Sequence, residues 1–182
     1  VYALIALGYT LVYGILRMIN FAHSEVFMSG PYTATFAADA LIALGWWDKY
    51  PILCIVIIMA VAALVSAAIA LLVERIAYRP LRPAPRLVPL ITAIGASFFL
   101  QYTFRGLYGS GLKGYPSMEI LKGFWMIGDI RIFKTQGVVI IGAIVMMLIL
   151  YAIVQKSKMG KAMRSVSEDK EVAALMGIDV DR

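Results

Sequence analysis

The sequence predicts an all-α protein, a polytopic bundle of transmembrane helices with about five membrane segments in 182 residues. Three observations carry that expectation. Hydrophobic residues make up 62% of the chain and charged residues 15%, with a mean hydropathy of +0.83. A soluble domain has about 45–50% apolar and about 25% charged residues. The apolar residues also fall in blocks: residues 52–73 hold one polar side chain, Ser66, and residues 137–154 hold no charge. Runs of about 18 or more such residues match the hydrocarbon thickness of a bilayer. Finally, Lys and Arg sit between and after these blocks rather than on one amphipathic face, so topology explains the net charge of +6 and a nucleic-acid surface does not.

The membrane region is expected over residues 1–155, with five spans. The first, 1–16, is apolar from its start and lacks the basic leader and small-residue cleavage site of a signal peptide. The second, 26–47, is the least apolar and contains Pro31 and Asp39. The third, 52–73, places Ala62, Ser66 and Ala70 on one strip and Ala63 and Ala67 on the next. Small residues at this spacing let helix backbones approach closely, which replaces the hydrophobic drive that lipid cannot supply. The fourth, 87–104, carries Pro89, Thr92, Ser97 and Gln101; the fifth is 137–154. The single cysteine, Cys54, lies inside an apolar run and reads as a small buried hydrophobe, with no disulfide or metal framework. The chain begins at Val1 without an initiator Met and stops at Arg182 just past a polar segment, so we expect a single truncated domain of a longer protein with later membrane helices.

Orientation follows from the basic connections. The sequence "ERIAYRPLRPAPR" holds Arg75, Arg79, Arg82 and Arg86, and "QKSKMGKAMR" holds Lys156, Lys158, Lys161 and Arg164. The positive-inside rule puts both in the cytoplasm, and the two spans between them make the assignments agree. Pro80, Pro83 and Pro85 should stiffen the first connection. Residues 105–134 are then external. Trp46, Trp47, Tyr50, Tyr102 and Tyr108 are expected at the outer headgroup belt.

One stretch breaks the oily pattern. "RMINFAHSEVFMSGPY" brings Arg17, Asn20, His23 and Glu25 within nine residues, between two apolar runs. An intramembrane ionisable residue costs about 2.5–3.5 kcal/mol at a helix centre, so it points by default to a functional path. Arg17, at the expected inner edge, reads as an anchor that snorkels to the headgroups. Asn20 and His23, three apart, can share a face, with Glu25 displaced from them. These three are candidates for a substrate path or gate; the structural alternative is a satisfied polar cluster that caps and packs the start of the helix. Gly30 and Pro31 weaken the helix one or two turns later and permit an unwound section of the kind transporters use to bind solutes.

Residues 156–182 form a separate cytoplasmic segment. After Gly160, "KAMRSV" has helical character, and "SED" makes a polar step. Asp169 can cap a second short helix through Val172, Ala173, Ala174, Leu175 and Met176, with Glu171 in its first turn and Gly177 as its stop. The apolar face of Met163, Val166, Val172, Leu175 and Met176 requires either other parts of the protein or a partner.

"EVAALMG" at residues 171–177 resembles the E-A-A-x-x-x-G pattern of ABC-importer permeases, matching at Glu171, Ala173 and Gly177 with Val172 in place of the first alanine. "SKMGKAMRSVSEDKEVAALMGIDVDR", "ALIALGYTLVYGILRMINFAHSE" and "VERIAYRPLR" together resemble the branched-chain amino-acid ABC transporter permease family, in collinear order over nearly the whole chain. Ser24 stands where that family usually has glycine, and Pro31 where a small residue is usual. The resemblance implies an ABC-importer permease fold and a role in moving branched-chain aliphatic amino acids across the cytoplasmic (inner) membrane of a bacterium or archaeon. It implies cytoplasmic ATPase subunits, a second permease subunit and an external substrate-binding protein as partners. The coupling residues would be Gly160, Arg164, Asp169, Glu171, Ala173, Ala174 and Gly177. No cofactor is expected in this chain, ATP being used by the partner subunits.

Motifs for covalent chemistry do not assemble. His23-Ser24-Glu25 is an H-x-E triplet, but the zinc deaminase site also needs a P-C-x-x-C pair. H-E-x-x-H, G-x-S-x-G and Walker A sequences do not occur, so the expectation is a transport subunit and not an enzyme. The alternatives are a urea or short-amide ABC permease, an ion-coupled carrier or channel without an ATPase, and a membrane scaffold without a path.

Overall fold

The computed structural model describes residues 2–16, 20–81, 84–85, 87–109, 111, 113–118, 121–127 and 130–178. Arg17, expected as an anchor, lies outside the described residues. The chain divides into two compact units, residues 20–123 and residues 1–19 with 124–182.

The 20–123 unit is built on helices α2 (His23–Ala43), α3 (Trp46–Lys49), α4 (Pro51–Val73) and α5 (Leu87–Tyr108). Pro51 occupies the first turn of α4, where its missing N–H costs nothing. Gly45, at φ 69°, supplies the left-handed turn that lets α3 follow α2. Past Val73 the chain does not enter a loop, as expected from its arginines; it continues as a π-helical turn, Glu74–Tyr78, and a 3-10 turn, Arg79–Leu81. The whole helical run Pro51–Leu81 is 31 residues, about 46 Å at 1.5 Å per residue. That exceeds a hydrocarbon core of about 30 Å, so its last turns extend well beyond the apolar part of the helix.

Packing in this unit is inverted relative to a soluble protein. The buried positions of α2 are Ser29, Gly30, Ala34, Thr35, Ala38 and Leu41. The bulky Ile52, Leu64, Leu71, Ile91 and Phe99 are each about two-thirds exposed. Small residues inside and large apolar residues outside are what close helix packing in lipid requires. Gly30 marks the tightest approach: a Cβ there would run into Ser66 Oγ and the carbonyl oxygen of Ala62 on α4. Ser66 Oγ crosses the interface to donate to the Val26 carbonyl at 3.1 Å. The expected small-residue strip therefore meets α2 at Ala62 and Ser66, while Ala63, Ala67 and Ala70 are exposed. Cys54 is fully buried, as its apolar setting predicts, and its thiol points to the Trp46 carbonyl at 3.5 Å. Trp46 and Tyr50 are exposed as a headgroup belt requires, but Trp47 turns inward against Ala38, Leu41, Cys54 and Met118.

The other unit contains α1 (Tyr2–Leu16), strands β1 (Phe124–Ile127) and β2 (Ile130–Phe133), and helices α6 (Lys134–Lys156), α7 (Lys158–Glu168) and α8 (Lys170–Leu175). The strands form an antiparallel hairpin pairing Phe124 with Phe133 and Trp125 with Ile132, a departure from the otherwise all-α expectation. Helix α6 has 23 residues and exposes Ile140, Ile141, Ile149 and Met146, which point in four different directions around its circumference. A helix apolar on all sides needs lipid or further helices around it. With α6, the helices Pro51–Leu81 and Leu87–Tyr108 are long and apolar enough to cross a membrane. Helix α1 has a shorter apolar stretch, Ile5–Gly14, and α2 has 21 residues but carries His23, Glu25 and Asp39.

Candidate functional site

Asn20 precedes α2 and is held from both sides. Its Oδ1 accepts from the Ala22 N–H at 3.0 Å and from the Tyr78 hydroxyl at 2.6 Å. Its carbonyl accepts from the His23 N–H at 3.1 Å. Asn20 thus shapes the turn leading into α2, and Tyr78, 58 residues away on the π-helical turn, clamps it. His23 and Glu25 are half-buried in the first turn of α2, where the positive end of the helix favours a carboxylate.

The start of α2 is recessed. Ala22 is fully buried with Leu100 and Phe104 of α5, against Ile69 and Val73 of α4. Leu100 lies thirteen residues into α5, about 20 Å from its first residue at 1.5 Å per residue. The π-helical and 3-10 turns after Val73 also continue past this level. Both neighbours therefore extend beyond Ala22 on the side of the Pro-rich connection. Ala22 meets Leu100 and Phe104, in the second half of α5, so the start of α2 lies alongside the body of that helix and not at its first turn.

From this start, α2 runs unbroken through Gly30 and Pro31 to Ala43; the unwound section anticipated there is not formed. Side-chain hydroxyls add bonds to backbone carbonyls on either side of this point. Ser29 Oγ joins Ser66 in donating to the Val26 carbonyl, at 2.6 Å, and Thr33 Oγ1 donates to the Ser29 carbonyl at 2.8 Å. Tyr115, from the segment after α5, donates its hydroxyl to the Pro31 carbonyl at 2.6 Å. Gly30 and Pro31 serve close packing and a tertiary hydrogen bond rather than a break.

Two open clefts flank Tyr32. One, about 360 Å³, is lined by Met28, Gln101, Phe104 and Arg105; the other, about 260 Å³, by Phe27, Pro31, Thr35, Lys113 and Tyr115. Beside them, Tyr108 packs against Tyr32 and Phe36 at ring-centroid distances of 5.3 and 5.2 Å. Lys113 lays its ammonium over these rings, 4.0 Å from the Phe36 centroid, 5.4 Å from Tyr32 and 5.7 Å from Tyr108. Sequence reasoning passed over this group and Tyr78. The recurrence of aromatics at Tyr32 and Phe36, one turn apart on the least apolar helix, was the available signal. Among the described residues, no cluster of three or more His, Cys, Asp or Glu could hold a metal ion.

The other expected site residues lie in the second unit. Ser157 caps α7, its Oγ accepting from the Gly160 N–H at 2.9 Å. Gly160 is therefore inside the first turn of α7 and not before it, as expected from its sequence. It is buried where a Cβ would strike the Val154 carbonyl at the end of α6. Arg164 reaches back from α7, donating to Gln155 Oε1 at 2.9 Å and to the Gln155 carbonyl at 3.3 Å. A guanidinium on the last carbonyls of α6 is favoured by that helix's negative end. Asp169 caps α8 as expected, accepting from the Val172 N–H at 3.1 Å. Gly177, at φ 81°, closes the helix: its N–H donates to the Ala174 carbonyl, and the Ile178 N–H donates to that of Ala173. This paired arrangement satisfies carbonyls that the helix end leaves free. Glu171 lies in the first turn of α8. Ala173 is buried, while Val172, Leu175 and Met176 are exposed at 53%, 88% and 79%. The structure thus joins Gly160 and Arg164 to the end of α6, and Asp169, Ala173, Ala174 and Gly177 in one capped helix.

Long apolar helices, an inverted packing order and a capped helical pair following a membrane span define a polytopic helical membrane protein. The profile of the family described as "Branched-chain amino acid transport system / permease component" matches residues 1–182, and the chain belongs to that family. It is 40% identical to the high-affinity branched-chain amino acid transport system permease protein LivH of Salmonella typhimurium, over 100% of this chain and 59% of that protein. Identity to LivH of Escherichia coli K12 is 39% over the same shares. Identity to BraD of Pseudomonas aeruginosa, named as a permease protein of the same kind of system, is 39% over 98% of this chain and 58% of that protein. The chain therefore spans somewhat under three-fifths of the length of these relatives. No solved structure matches it. The chain is a multi-pass protein of the inner membrane.

Proposed function

We propose that this chain belongs to the permease subunit of an ATP-driven importer that moves branched-chain aliphatic amino acids across the cytoplasmic membrane. In this reading an external binding protein delivers the substrate, a second permease subunit completes the path, and separate cytoplasmic ATPases supply the energy. The observation that carries it is the α7–α8 pair. A six-residue helix, α8, is capped at both ends and still exposes Val172, Leu175 and Met176. Such a short helix gains little from its own hydrogen bonds, so its caps hold an apolar ridge in shape for a partner. An ATPase pressing on that ridge would tilt α7. The Gly160 backbone contact and the Arg164–Gln155 bonds would then transmit the tilt to α6. Asn20, His23 and Glu25, recessed at the start of α2, are the corresponding candidates for a path or gate.

The test is ATP-dependent uptake of labelled leucine by vesicles containing the full-length subunit and its partners, comparing wild type with Gly177→Val and Glu171→Lys. A β-branched residue at φ 81° is a strained conformation, so Gly177→Val should unwind the end of α8. Loss of uptake with normal membrane insertion is expected. Normal uptake in both variants would remove the coupling assignment and favour a channel or an ion-coupled carrier.

A further inference from the structure

We propose that the rings of Tyr32, Phe36 and Tyr108 form an ammonium site for the transported amino acid, and that Lys113 occupies it in the state seen here. The inference rests on the amino-acid reading above and adds the substrate's binding group.

Lys113 is positioned as a tethered ligand. Its ammonium faces three aromatic rings, with the nearest centroid at 4.0 Å, and among the described residues no carboxylate pairs with it. Ring faces attract a cation through their quadrupole, and such cages recognise ammonium ligands. The segment carrying Lys113 is fastened over α2 by two tyrosine hydrogen bonds, from Tyr32 to the Gly111 carbonyl at 3.2 Å and from Tyr115 to the Pro31 carbonyl at 2.6 Å. Each bond is single and solvent-accessible, and the segment's core anchor is Met118, three residues beyond Tyr115, so lifting of the strap is confined to the stretch before it.

The surroundings suit the rest of an aliphatic amino acid. Tyr32 belongs both to the cage and to the 360 Å³ cleft, which adds Arg105 for a carboxylate and Met28 and Phe104 for an apolar side chain. A neutral amide such as urea has no cation to offer the rings. With the strap lifted, the substrate's ammonium replaces that of Lys113. Binding and strap closure over the rings are then mutually exclusive.

The experiment is equilibrium binding of labelled leucine to the full-length subunit with its ATPases in lipid nanodiscs. Urea and 4-methyl-2-oxopentanoate, which keeps the carboxylate but lacks the ammonium, serve as competitors. Lys113→Ala should tighten leucine binding about two- to fivefold, the range of an exposed cation–π contact, while Lys113→Arg, which keeps a cation on the rings, should stay near wild type. In the Lys113→Ala background, Phe36→Leu and Tyr108→Leu should each weaken leucine about two- to fivefold and leave competition by the oxo acid unchanged. Unchanged leucine affinity in Lys113→Ala, or equal loss for leucine and the oxo acid in the ring variants, would overturn the cage while leaving the amino-acid reading intact. Binding of urea but not leucine by wild type would overturn both.

Discussion

Replacing Gly30 with alanine tests how closely α2 and α4 approach. The added Cβ would meet Ser66 Oγ, which can rotate away, and the Ala62 carbonyl oxygen, which is backbone and cannot. A relaxed C···O contact is about 3.3–3.6 Å, so α4 must withdraw by roughly 1 Å. That withdrawal stretches the Ser66–Val26 bond from 3.1 Å past hydrogen-bonding range, at about 0.6–1 kcal/mol. Overpacking adds about 1–3 kcal/mol. Alanine's better helix propensity returns about 1 kcal/mol, which leaves a net loss of about 1–3 kcal/mol. Gly95, on α5, is the control: a Cβ there meets nothing within 4 Å, so Gly95→Ala should be neutral or stabilise by up to about 1 kcal/mol. Unfolding of the full-length subunit by SDS in mixed micelles measures both. Equal stability of the two variants would show that α2 and α4 do not meet at Gly30.

Other consequences are open to simpler measurements. Asp169→Ala should cost about 1 kcal/mol of local helix stability and speed amide exchange in α8, with Asp169→Asn retaining most of the protection. Tyr78→Phe removes the 2.6 Å bond to Asn20; leucine uptake should fall while SDS resistance drops by only about 1 kcal/mol, and unchanged uptake would limit Asn20 to local capping. Cys54, fully buried, should resist maleimide in folded protein and react promptly after SDS unfolding; rapid labelling of folded protein would contradict the packing of α3 on α4. Gly160→Ala should impair ATP-driven uptake more than membrane insertion, because its Cβ strikes the Val154 carbonyl, and equal loss of both would make Gly160 structural only.

What the sequence made legible was local chemistry. Asp169 and Gly177 lie eight residues apart, and capping rules act over one helical turn, so both ends of α8 could be read directly. Cys54 and the apolar spans were readable because the cost of exposing polar groups to lipid dominates every weaker preference. Contacts between distant residues were less legible. Tyr32 meets Gly111 across 79 positions and Tyr115 meets Pro31 across 84, so the strap leaves no short pattern, and of its aromatic group only the Tyr32–Phe36 spacing is local. Pro31 shows the same limit. Proline's local tendency is to break a helix, yet α2 runs unbroken through Pro31, packed on α4 at the neighbouring Gly30 and bonded by Tyr115. The arginines after Val73 suggested a loop, but charge marks depth in the membrane and does not end a helix. The β1–β2 hairpin did leave a signal, a Gly-Asp pair between two apolar runs, which the reading of residues 105–134 as an external connection passed over.

In the proposed function, transport of an aliphatic amino acid is driven through α8. The most direct test is uptake of labelled leucine against labelled urea in vesicles holding the full-length subunit, its partner permease, its ATPases and the binding protein. ATP-dependent accumulation of leucine, little urea uptake, and loss of leucine uptake in Gly177→Val are the predicted results. Leucine uptake independent of ATP, or ATP-driven uptake of urea alone, would contradict it.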